Sequence, residues 1–253
     1  MYNPIALNGK LVLVTGASSG IGRAAAVTLH RLGAEVILSG RREQALGETE
    51  NLLADGASGC SIEPFDLTDV DQIPDWLRRV RERRGRPLNG LVHCAGVGRY
   101  APIATLTRKK IEEMCIPNLY SSVGIIRGFG QKGIAAEGAS VVLVSSVASL
   151  TASPGMLAYS ASKAGVNVLA RTAAVELKHK RIRVNSVAAG WVATPMLDRA
   201  REALPATFED TEKRQFLGII EPEEVALAAA FLLSDASRKI TGTVLVLDGG
   251  YTC

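Results

Sequence analysis

The sequence has few cysteines, few histidines and no long apolar run, and each shortage excludes a class of protein. Cys60, Cys94, Cys115 and Cys253 stand far apart without a C-x-x-C pair, which argues against a disulfide framework and a zinc site. The three histidines share no ligand spacing, so no metal is predicted. No apolar run approaches the ~20 residues that span a bilayer, and MYNPIALNGK lacks the pattern of a secretion signal. We therefore expect a cytoplasmic protein without a membrane span.

Aromatic residues are also scarce, at 5%, whereas hydrophobic residues make up 47% of the 253 positions and glycines number 25. This composition suits close packing of helices on a sheet better than a β-sandwich, and it argues against disorder. The net charge of +4 is small and spread along the chain, so a nucleic-acid partner is not expected. Without a linker or repeat in the sequence, we predict one domain over residues 1–253.

Short apolar runs rich in Val, Ile and Leu recur near residues 10, 34, 89, 140, 182 and 243. They lack strict alternation, which is typical of parallel strands that are buried on both faces. Amphipathic or alanine-rich stretches lie between them and are predicted to be crossover helices. The pattern predicts a single-domain α/β fold with a doubly wound, Rossmann-type parallel sheet, helices on both faces, and ligands at the carboxyl ends of the strands.

The first predicted strand leads directly into TGASSGIGRAAA, which precedes a predicted helix. Glycines in such a turn let the backbone approach a pyrophosphate, whose charge the helix amino terminus attracts. The alternative is a turn with a structural role only. The predicted cofactor contacts in this turn are Gly16, Ser18, Ser19, Gly20, Ile21 and Gly22.

The second predicted strand ends in LSGRRE. An acidic residue at this end commonly holds the ribose hydroxyls of NAD, whereas an arginine accommodates the 2′-phosphate of NADP. Gly40 takes that place here, and Arg41 and Arg42 follow it. We therefore predict NADP(H) over NAD(H), with Arg41 as the main phosphate partner; the alternative is that both arginines are surface residues.

Residues 159–163 read YSASK, which places a phenol and an ammonium group four positions apart. On a helix, Tyr159 and Lys163 would share one face. A nearby positive charge lowers the pKa of a tyrosine, ordinarily about 10, by stabilising the phenolate. The alternative is an exposed tyrosine beside a solvated lysine.

Together, TGASSGIG and YSASK resemble the motifs of the short-chain dehydrogenase/reductase family, and the likeness extends over nearly the whole chain. The resemblance implies that Tyr159 is the general acid in ketone reduction, and that Lys163 lowers its pKa and holds the nicotinamide ribose. It implies that Ser146, in LVSSVAS, stabilises the substrate oxygen, with Ser145 structural. It also implies that Asn118 holds a water of the proton relay. The catalytic set is thus Asn118, Ser146, Tyr159 and Lys163.

The same resemblance implies further cofactor contacts. Asp66, followed by Leu67, matches the adenine-contacting aspartate, and Val192 and Thr194 match the loop that receives the carboxamide. The chain departs from the family where His93-Cys94 replaces Asn-Asn, where Pro117 precedes Asn118, and where Ala189 replaces a proline, a change expected to loosen the following loop. The implied contacts outside the glycine turn are Arg41, Arg42, Asp66, Leu67, Ala95, Gly96, Tyr159, Lys163, Val192 and Thr194.

A predicted substrate loop covers residues 194–218, with Met196, Leu204, Phe208, Trp191 and the segment 149–156 as apolar lining or as packing against the protein body. The general pattern is nearest to 3-oxoacyl-acyl-carrier-protein reductases, which implies an NADPH-dependent ketoreductase. The alternatives are an NAD(P)-dependent dehydrogenase of a sugar, polyol, steroid or other small alcohol, and a nucleotide-binding protein without turnover.

Two expectations concern partners. The basic stretch 178–183 is a candidate surface for an acidic acyl carrier protein through Lys180 and Arg181, although the helix dipole alone favours basic residues at a helix end. Family members are commonly dimers or tetramers that assemble through the helices bearing the Asn and Tyr motifs. We therefore expect a homodimer or homotetramer.

Overall fold

Seven strands form one parallel sheet in this protein. They are β1 (Leu11–Thr15), β2 (Glu35–Ser39), β3 (Cys60–Ile62), β4 (Leu88–His93), β5 (Ala135–Ser146), β6 (Arg183–Ala189) and β7 (Val244–Leu247). The computed structural model describes residues 3–53, 59–203 and 213–253. The strand order is β3-β2-β1-β4-β5-β6-β7, with every neighbouring pair parallel. All five residues of β1 are buried, which explains why LVLVT lacks alternation.

Helices cover both faces of this sheet. They are α1 (Gly20–Arg31), α2 (Glu43–Glu50), α3 (Ile73–Arg84), α4 (Arg108–Cys115), α5 (Ser121–Phe129), α6 (Leu157–Glu176), α7 (Pro195–Ala203) and α8 (Pro222–Leu233). One core cluster packs α1 and α8 on the sheet, and a second packs α3, α5 and α6 on it. This arrangement confirms the predicted doubly wound α/β fold. Within the described ranges, no helix is long and apolar enough to cross a membrane.

Two elements differ from the sequence prediction. Strand β3 is short and partly exposed at the edge of the sheet, so it has none of the apolar run that indicates a central strand. The segment 194–218, predicted as a loop, begins with helix α7. Leu204 and Phe208, predicted to line the substrate site, lie outside the described residues.

The sheet changes winding direction at β1, which has β2 on one side and β4 on the other. Connections from the carboxyl ends of β1 and β4 leave on opposite faces and open a crevice between them. The two strand ends approach closely, since a Cβ atom at Gly16 would lie 2.8 Å from the amide nitrogen of Ala95. Gly16 also has a φ of 68°, which disfavours other residues. The topology therefore places the glycine turn at the predicted ligand crevice.

Two helical glycines allow a matched test of the packing. A Cβ atom at Gly128 of α5 would lie 2.7 Å from Leu77 Cδ1 and 3.0 Å from Pro74 Cα of α3, whereas one at Gly47 of α2 would meet nothing within 4 Å. We expect Gly128→Ala to lower the free energy of unfolding by about 1–3 kcal/mol through overpacking. Gly47→Ala should raise it by about 0.5–1 kcal/mol because alanine loses less backbone entropy. Urea unfolding followed by circular dichroism measures both, and equal effects would contradict the packing of α5 on α3.

Candidate active site

The turn between β1 and α1 leaves room for an anionic group near its backbone. Gly20 has a φ of 50°, and a Cβ atom at Gly22 would overlap the Gly16 carbonyl. The Ser19 side chain does not cap α1, and the first turn of the helix has no acidic residue. The amide groups and positive end of α1 are therefore suited to a phosphate, so the turn fits the pyrophosphate of a dinucleotide. The residues of the turn include Gly16, Ser18, Ser19, Gly20, Ile21 and Gly22.

The end of β2 lies beside this turn. A Cβ atom at Gly40 would be 3.6 Å from the Ser18 hydroxyl oxygen, so the glycine keeps the space between the two segments open. Arg41 and Arg42 follow, and both are exposed. The position of the ribose-binding acid thus has no carboxylate, and two cations stand next to it. This charge pattern fits a 2′-phosphate.

Asp66 and Leu67 lie on the segment after β3. The Asp66 carboxylate accepts hydrogen bonds from the amide and hydroxyl of Thr68, at 3.0 and 2.8 Å, while Leu67 is buried. The amide of Phe65 donates to the Gly40 carbonyl at 3.0 Å, which ties this segment to the end of β2. Asp66 therefore lies at the same end of the crevice as the two arginines.

The loop after β6 approaches the glycine turn from the other side. A Cβ atom at Gly20 would lie 3.1 Å from Thr194 Cγ2, and the Thr194 hydroxyl donates to the Val192 carbonyl at 3.2 Å. The buried Gln215 holds this loop, since its Oε1 accepts from the Trp191 amide at 2.8 Å and its Nε2 donates to the Trp191 carbonyl at 3.0 Å. Val192 and Thr194 are thus fixed next to the expected cofactor path.

Lys163 on α6 carries a buried ammonium group, with 6% of the residue exposed. Its Nζ donates to the Val144 carbonyl at 2.9 Å and lies 5.9 Å from the centroid of the Tyr159 ring. Burial lowers the pKa of Lys163 to about 8. Within the described residues, the Val144 carbonyl accepts from one of the three N–H groups of the Lys163 ammonium. Two N–H groups remain as donors for hydroxyl groups of a ligand.

The Ser146 side chain lies close enough to the Tyr159 phenol to lower the pKa of that phenol. Burial raises the pKa of the Tyr159 phenol and outweighs the opposing effect of Ser146. The direction is thus opposite to the lowering that we predicted from Lys163, and the phenol keeps its proton near neutral pH. The neighbouring Ser145 donates to the Lys163 backbone carbonyl at 3.1 Å, which fits its predicted structural role.

Asn118 lies in a π-helical turn, Ile116–Tyr120, between α4 and α5, at the position where Pro117 interrupts the helical N–H groups. Its Oδ1 accepts from the Val97 amide at 2.8 Å, and its Nδ2 donates to the Val97 carbonyl at 3.0 Å and the Ser162 hydroxyl at 3.1 Å. Both N–H groups of the side-chain amide are therefore used. Asn118 could bind a relay water only as an acceptor, through lone pairs on Oδ1 and on its backbone carbonyl.

The four predicted catalytic residues converge at the carboxyl edge of the sheet. A Cβ atom at Gly96 would lie 2.9 Å from Asn118 Oδ1 and 3.4 Å from Lys163 Nζ. Both groups therefore approach the backbone of Gly96, and they lie close to each other. Tyr159 joins them through its position over Lys163, and Ser146 joins through Tyr159. The arrangement places a proton donor, a hydroxyl and a cation next to the crevice between β1 and β4.

Known proteins match this chain over nearly its full length. A family model described as Enoyl-(Acyl carrier protein) reductase matches residues 16–252. The 3-oxoacyl-[acyl-carrier-protein] reductase of Thermotoga maritima is 36% identical over 248 residues, which cover 96% of this chain and 98% of that protein. The chain belongs to the short-chain dehydrogenase/reductase family.

Other short-chain dehydrogenase/reductase relatives have sugar-acid names. The gluconate 5-dehydrogenase of Gluconobacter oxydans is 34% identical over 250 residues, 97% of this chain and 96% of that protein. A crystal structure of a putative 2-deoxy-D-gluconate 3-dehydrogenase from Agrobacterium tumefaciens with bound NADP has a TM-score of 0.87 at 30% identity and 99% coverage of each chain. Membership of the family makes this chain an oxidoreductase that acts on a CH–OH or C=O group with a nicotinamide cofactor.

His93, one departure from the short-chain dehydrogenase/reductase pattern, is the centre of a buried hydrogen-bond chain. Its Nδ1 lies 2.8 Å from the Thr15 hydroxyl and its Nε2 lies 3.3 Å from the Ser121 hydroxyl, which donates to the Pro117 carbonyl at 2.6 Å. Because Ser121 has used its proton, it must accept from Nε2–H, so Nδ1 accepts from Thr15. His93 thereby links the end of β1 to the π-helical turn that carries Asn118.

The other departures have different structural consequences. Cys94 packs against the core cluster of α1 and α8, where burial raises the pKa of its thiol to about 12. After Ala189, the chain is held by Gln215 and by the hydrogen bond from the Gly190 amide to the Leu247 carbonyl at 2.9 Å. Both changes leave the predicted catalytic side chains together at the crevice.

The side of the site facing α7 carries apolar and phenolic groups. A Cβ atom at Gly98 would lie 3.1 Å from the Met196 sulfur and 3.8 Å from Tyr159 Cε2, which places Met196 near the Tyr159 phenol. Tyr100 has its pKa raised to about 12 by burial and by the negative charges that Tyr159 and Tyr251 would carry if ionised. Met196, one of the predicted lining residues, thus lies near Tyr159.

Gln215 and Ser162 support the site but were not predicted from the sequence, for different reasons. Ser162 lies inside YSASK and donates to the Tyr159 carbonyl at 2.7 Å while accepting from Asn118, so the motif itself contained the signal. Gln215 contacts a residue 24 positions earlier, and no spacing or periodicity pointed to it.

Within the described ranges, no group of three His, Cys, Asp or Glu side chains is placed to bind a metal ion.

The His93 chain predicts a pH dependence of stability. Burial, with a contribution from Lys163, lowers the pKa of His93 from 6.5 to about 3. The unfolded state therefore binds more protons between these values, and stability falls as the pH drops below about 6.5. From pH 7 to pH 5 we expect this group to cost about 2 kcal/mol of unfolding free energy, a loss that His93→Asn removes.

Urea unfolding at the two pH values measures this difference, with His179→Asn, at an exposed histidine, as the matched control. The control should lose as much stability as the wild type. An equal loss in His93→Asn would show that His93 does not titrate in this way.

Proposed function

We propose that this protein is an NADPH-dependent ketoreductase that converts a ketone to a secondary alcohol, with Tyr159 as the general acid. The main support is the Tyr159 phenol, which keeps its proton because its pKa is raised, lies beside Ser146, and has its ring centroid 5.9 Å from the ammonium nitrogen of Lys163. A protonated donor next to a hydroxyl suits the step in which a carbonyl oxygen gains negative charge. The bound nicotinamide supplies the hydride.

Each catalytic residue has one proposed task. Ser146 binds the substrate oxygen and stabilises its developing charge, while Tyr159 gives it a proton. Lys163 uses its remaining N–H groups for the ribose hydroxyls and favours the phenolate that forms after proton transfer. Asn118 fixes Val97 against α6 through Ser162 and offers its remaining lone pairs to a relay water.

The preference for NADPH rests on the end of β2. Gly40 leaves space where an acid would exclude a phosphate, and Arg41 and Arg42 supply positive charge there. The NADP in the crystal structure of the related putative 2-deoxy-D-gluconate 3-dehydrogenase agrees with this preference. We propose Arg41 as the main partner of the 2′-phosphate.

Arg41→Asp tests the cofactor preference. We expect its dissociation constant for NADPH to rise about tenfold or more, because a charge-assisted contact is replaced by repulsion, whereas the constant for NADH should change little. Fluorescence titration with each cofactor measures both. Arg31→Asp, at an exposed position of α1, changes the net charge equally and should leave both constants unchanged. An unaltered ratio in Arg41→Asp would remove Arg41 from the phosphate site.

Two substrate classes have specific support. The Thermotoga maritima relative favours a 3-oxoacyl thioester, whereas the Gluconobacter oxydans relative favours oxidation of a sugar acid or a related small alcohol. We place the thioester first because the Met196 side chain gives the site an apolar wall next to Tyr159. A protein that binds nucleotide without turnover remains the alternative of another class.

The partner proposals rest on two surfaces. Lys180 donates to the carbonyls of Gly130 and Gln131, so its ammonium caps the carboxyl end of α5. The proposed surface for an acyl carrier protein therefore consists mainly of Arg181 and the exposed Lys178.

For self-association, the exposed apolar side chains of α5 and α6 support a homodimer or homotetramer. These side chains include Val123, Leu157, Val168 and Val175.

Oxidation of NADPH with acetoacetyl thioester, crotonyl thioester and a panel of small ketones tests the reaction, and oxidation of gluconate with NADP tests the reverse direction. We expect turnover of the oxo thioester to fall about 100-fold or more in Tyr159→Phe, since the proton donor is lost. Tyr120→Phe, at an exposed tyrosine, is the matched control and should keep the wild-type rate.

The outcomes separate the candidates. Turnover of crotonyl thioester alone would indicate double-bond reduction, and turnover of gluconate alone would favour the sugar-acid dehydrogenase. Tight NADPH binding without turnover of any compound would favour the binding-only alternative. A Tyr159→Phe variant as active as the wild type would refute the proposed acid.

A further inference from the structure

A hydrogen-bond chain runs from a buried residue of β6 through α6 to the backbone of Ser146. The Ser186 hydroxyl donates to Asn167 Oδ1 at 3.0 Å, and Asn167 Nδ2 donates to the Ser149 hydroxyl at 2.8 Å. Ser149 in turn donates to the Ser146 carbonyl at 2.5 Å. Asn167 is 5% exposed and Ser186 is fully buried, so water does not compete for the contact between them, whereas the two contacts of Ser149 are partly buried.

The direction of this chain is determined by its donors. Ser149 gives its hydroxyl proton to the Ser146 carbonyl, which can only accept, so Ser149 must accept from the Asn167 amide. The Asn167 oxygen then faces the Ser186 hydroxyl as an acceptor. Every member has one role, so the loss of Asn167 leaves Ser149 without its protein donor.

The chain ends at the turn that orients the Ser146 side chain. Ser146 precedes a short 3₁₀ turn, Val147–Ser149, and its hydroxyl oxygen accepts from the Ala148 amide at 3.2 Å. This contact occupies one lone pair of the hydroxyl and directs its proton away from the turn. Because Asn167 holds Ser149, and Ser149 closes the turn, the position of the Ser146 hydroxyl depends on Asn167.

We propose that Asn167 is a positioning residue that sets the orientation of the Ser146 hydroxyl toward the substrate oxygen. This inference rests on the proposed function, in which Ser146 binds that oxygen. Asn167 itself touches neither substrate nor cofactor in this assignment. An amide on the buried side of α6, next to the core residues Val166 and Ala170, costs free energy unless it is fully hydrogen-bonded, and its bonds here lead to the site.

Asn185 supplies a matched control. It is also fully buried, its Nδ2 donates to the Ile240 carbonyl at 3.1 Å, and its Oδ1 accepts from the Thr243 amide at 3.1 Å. These contacts hold the connection to β7 and do not reach Ser146. Asn167→Leu and Asn185→Leu therefore remove equivalent buried amides, one with and one without a link to the site.

The kinetic test compares Asn167→Leu in the wild-type and Ser146→Ala backgrounds, with acetoacetyl thioester and NADPH. We expect kcat to fall about tenfold in the wild-type background, because a displaced hydroxyl stabilises the oxygen less well, with an unchanged dissociation constant for NADPH. In Ser146→Ala the same substitution should lower kcat less than about twofold. Equal fold-losses in the two backgrounds would overturn the proposal, because they would show an effect that does not pass through the hydroxyl.

Hydrogen exchange tests the same link without a substrate. In Asn167→Leu, amides of residues 146–150 should exchange faster than in the wild type, whereas Asn185→Leu should leave this segment unchanged. Unchanged exchange in Asn167→Leu would overturn the positioning role whatever the reaction is. Faster exchange in a protein that turns over no substrate would instead support the link and count against the proposed function.

Discussion

A buried ammonium group is the constraint on which the rest of the site depends. Lys163 has no carboxylate within ion-pair distance in the described part of the chain, so a backbone carbonyl and the face of a phenol ring are its main local compensation. Its neighbours must therefore add no further positive charge. The buried His93 meets this requirement because it stays neutral. The cost of burying the cation is offset in part by ligand hydroxyls, which couples the affinity of the site to its chemistry.

The parallel sheet explains why residues that are distant in sequence lie together around the ammonium group of Lys163. The carboxyl ends of β1, β4, β5 and β6 lie at the same edge, so each following loop delivers one part of the site. The parts are held to one another by buried amides: Asn118 joins Val97 to α6, and Gln215 braces the loop at Trp191. Precise placement thus comes from side-chain amides that use both donors and acceptors, rather than from the apolar core alone.

Much of this architecture could be predicted from the sequence, because the fold depends on local patterns. Six apolar runs predicted every strand except β3, and the glycine turn and YSASK predicted the crevice and the helix face that carries Tyr159 and Lys163. Edge strand β3 lacked such a run because it is short and partly exposed. Lys180 was assigned to a docking surface because its sequence neighbours are basic, while its actual partners at Gly130 and Gln131 lie about 50 residues away. Contacts over such distances leave no periodic signal.

The hydrogen-bond chain through His93 limits the paths by which protons can be transferred to the site. A proton wire must be able to reverse its donors and acceptors, and this chain ends at the Pro117 carbonyl, which has no proton to return. The His93 imidazole is therefore a support and cannot carry protons to the site. For Tyr159 as the proposed acid, the scaffold thus closes one route of proton supply before any substrate binds.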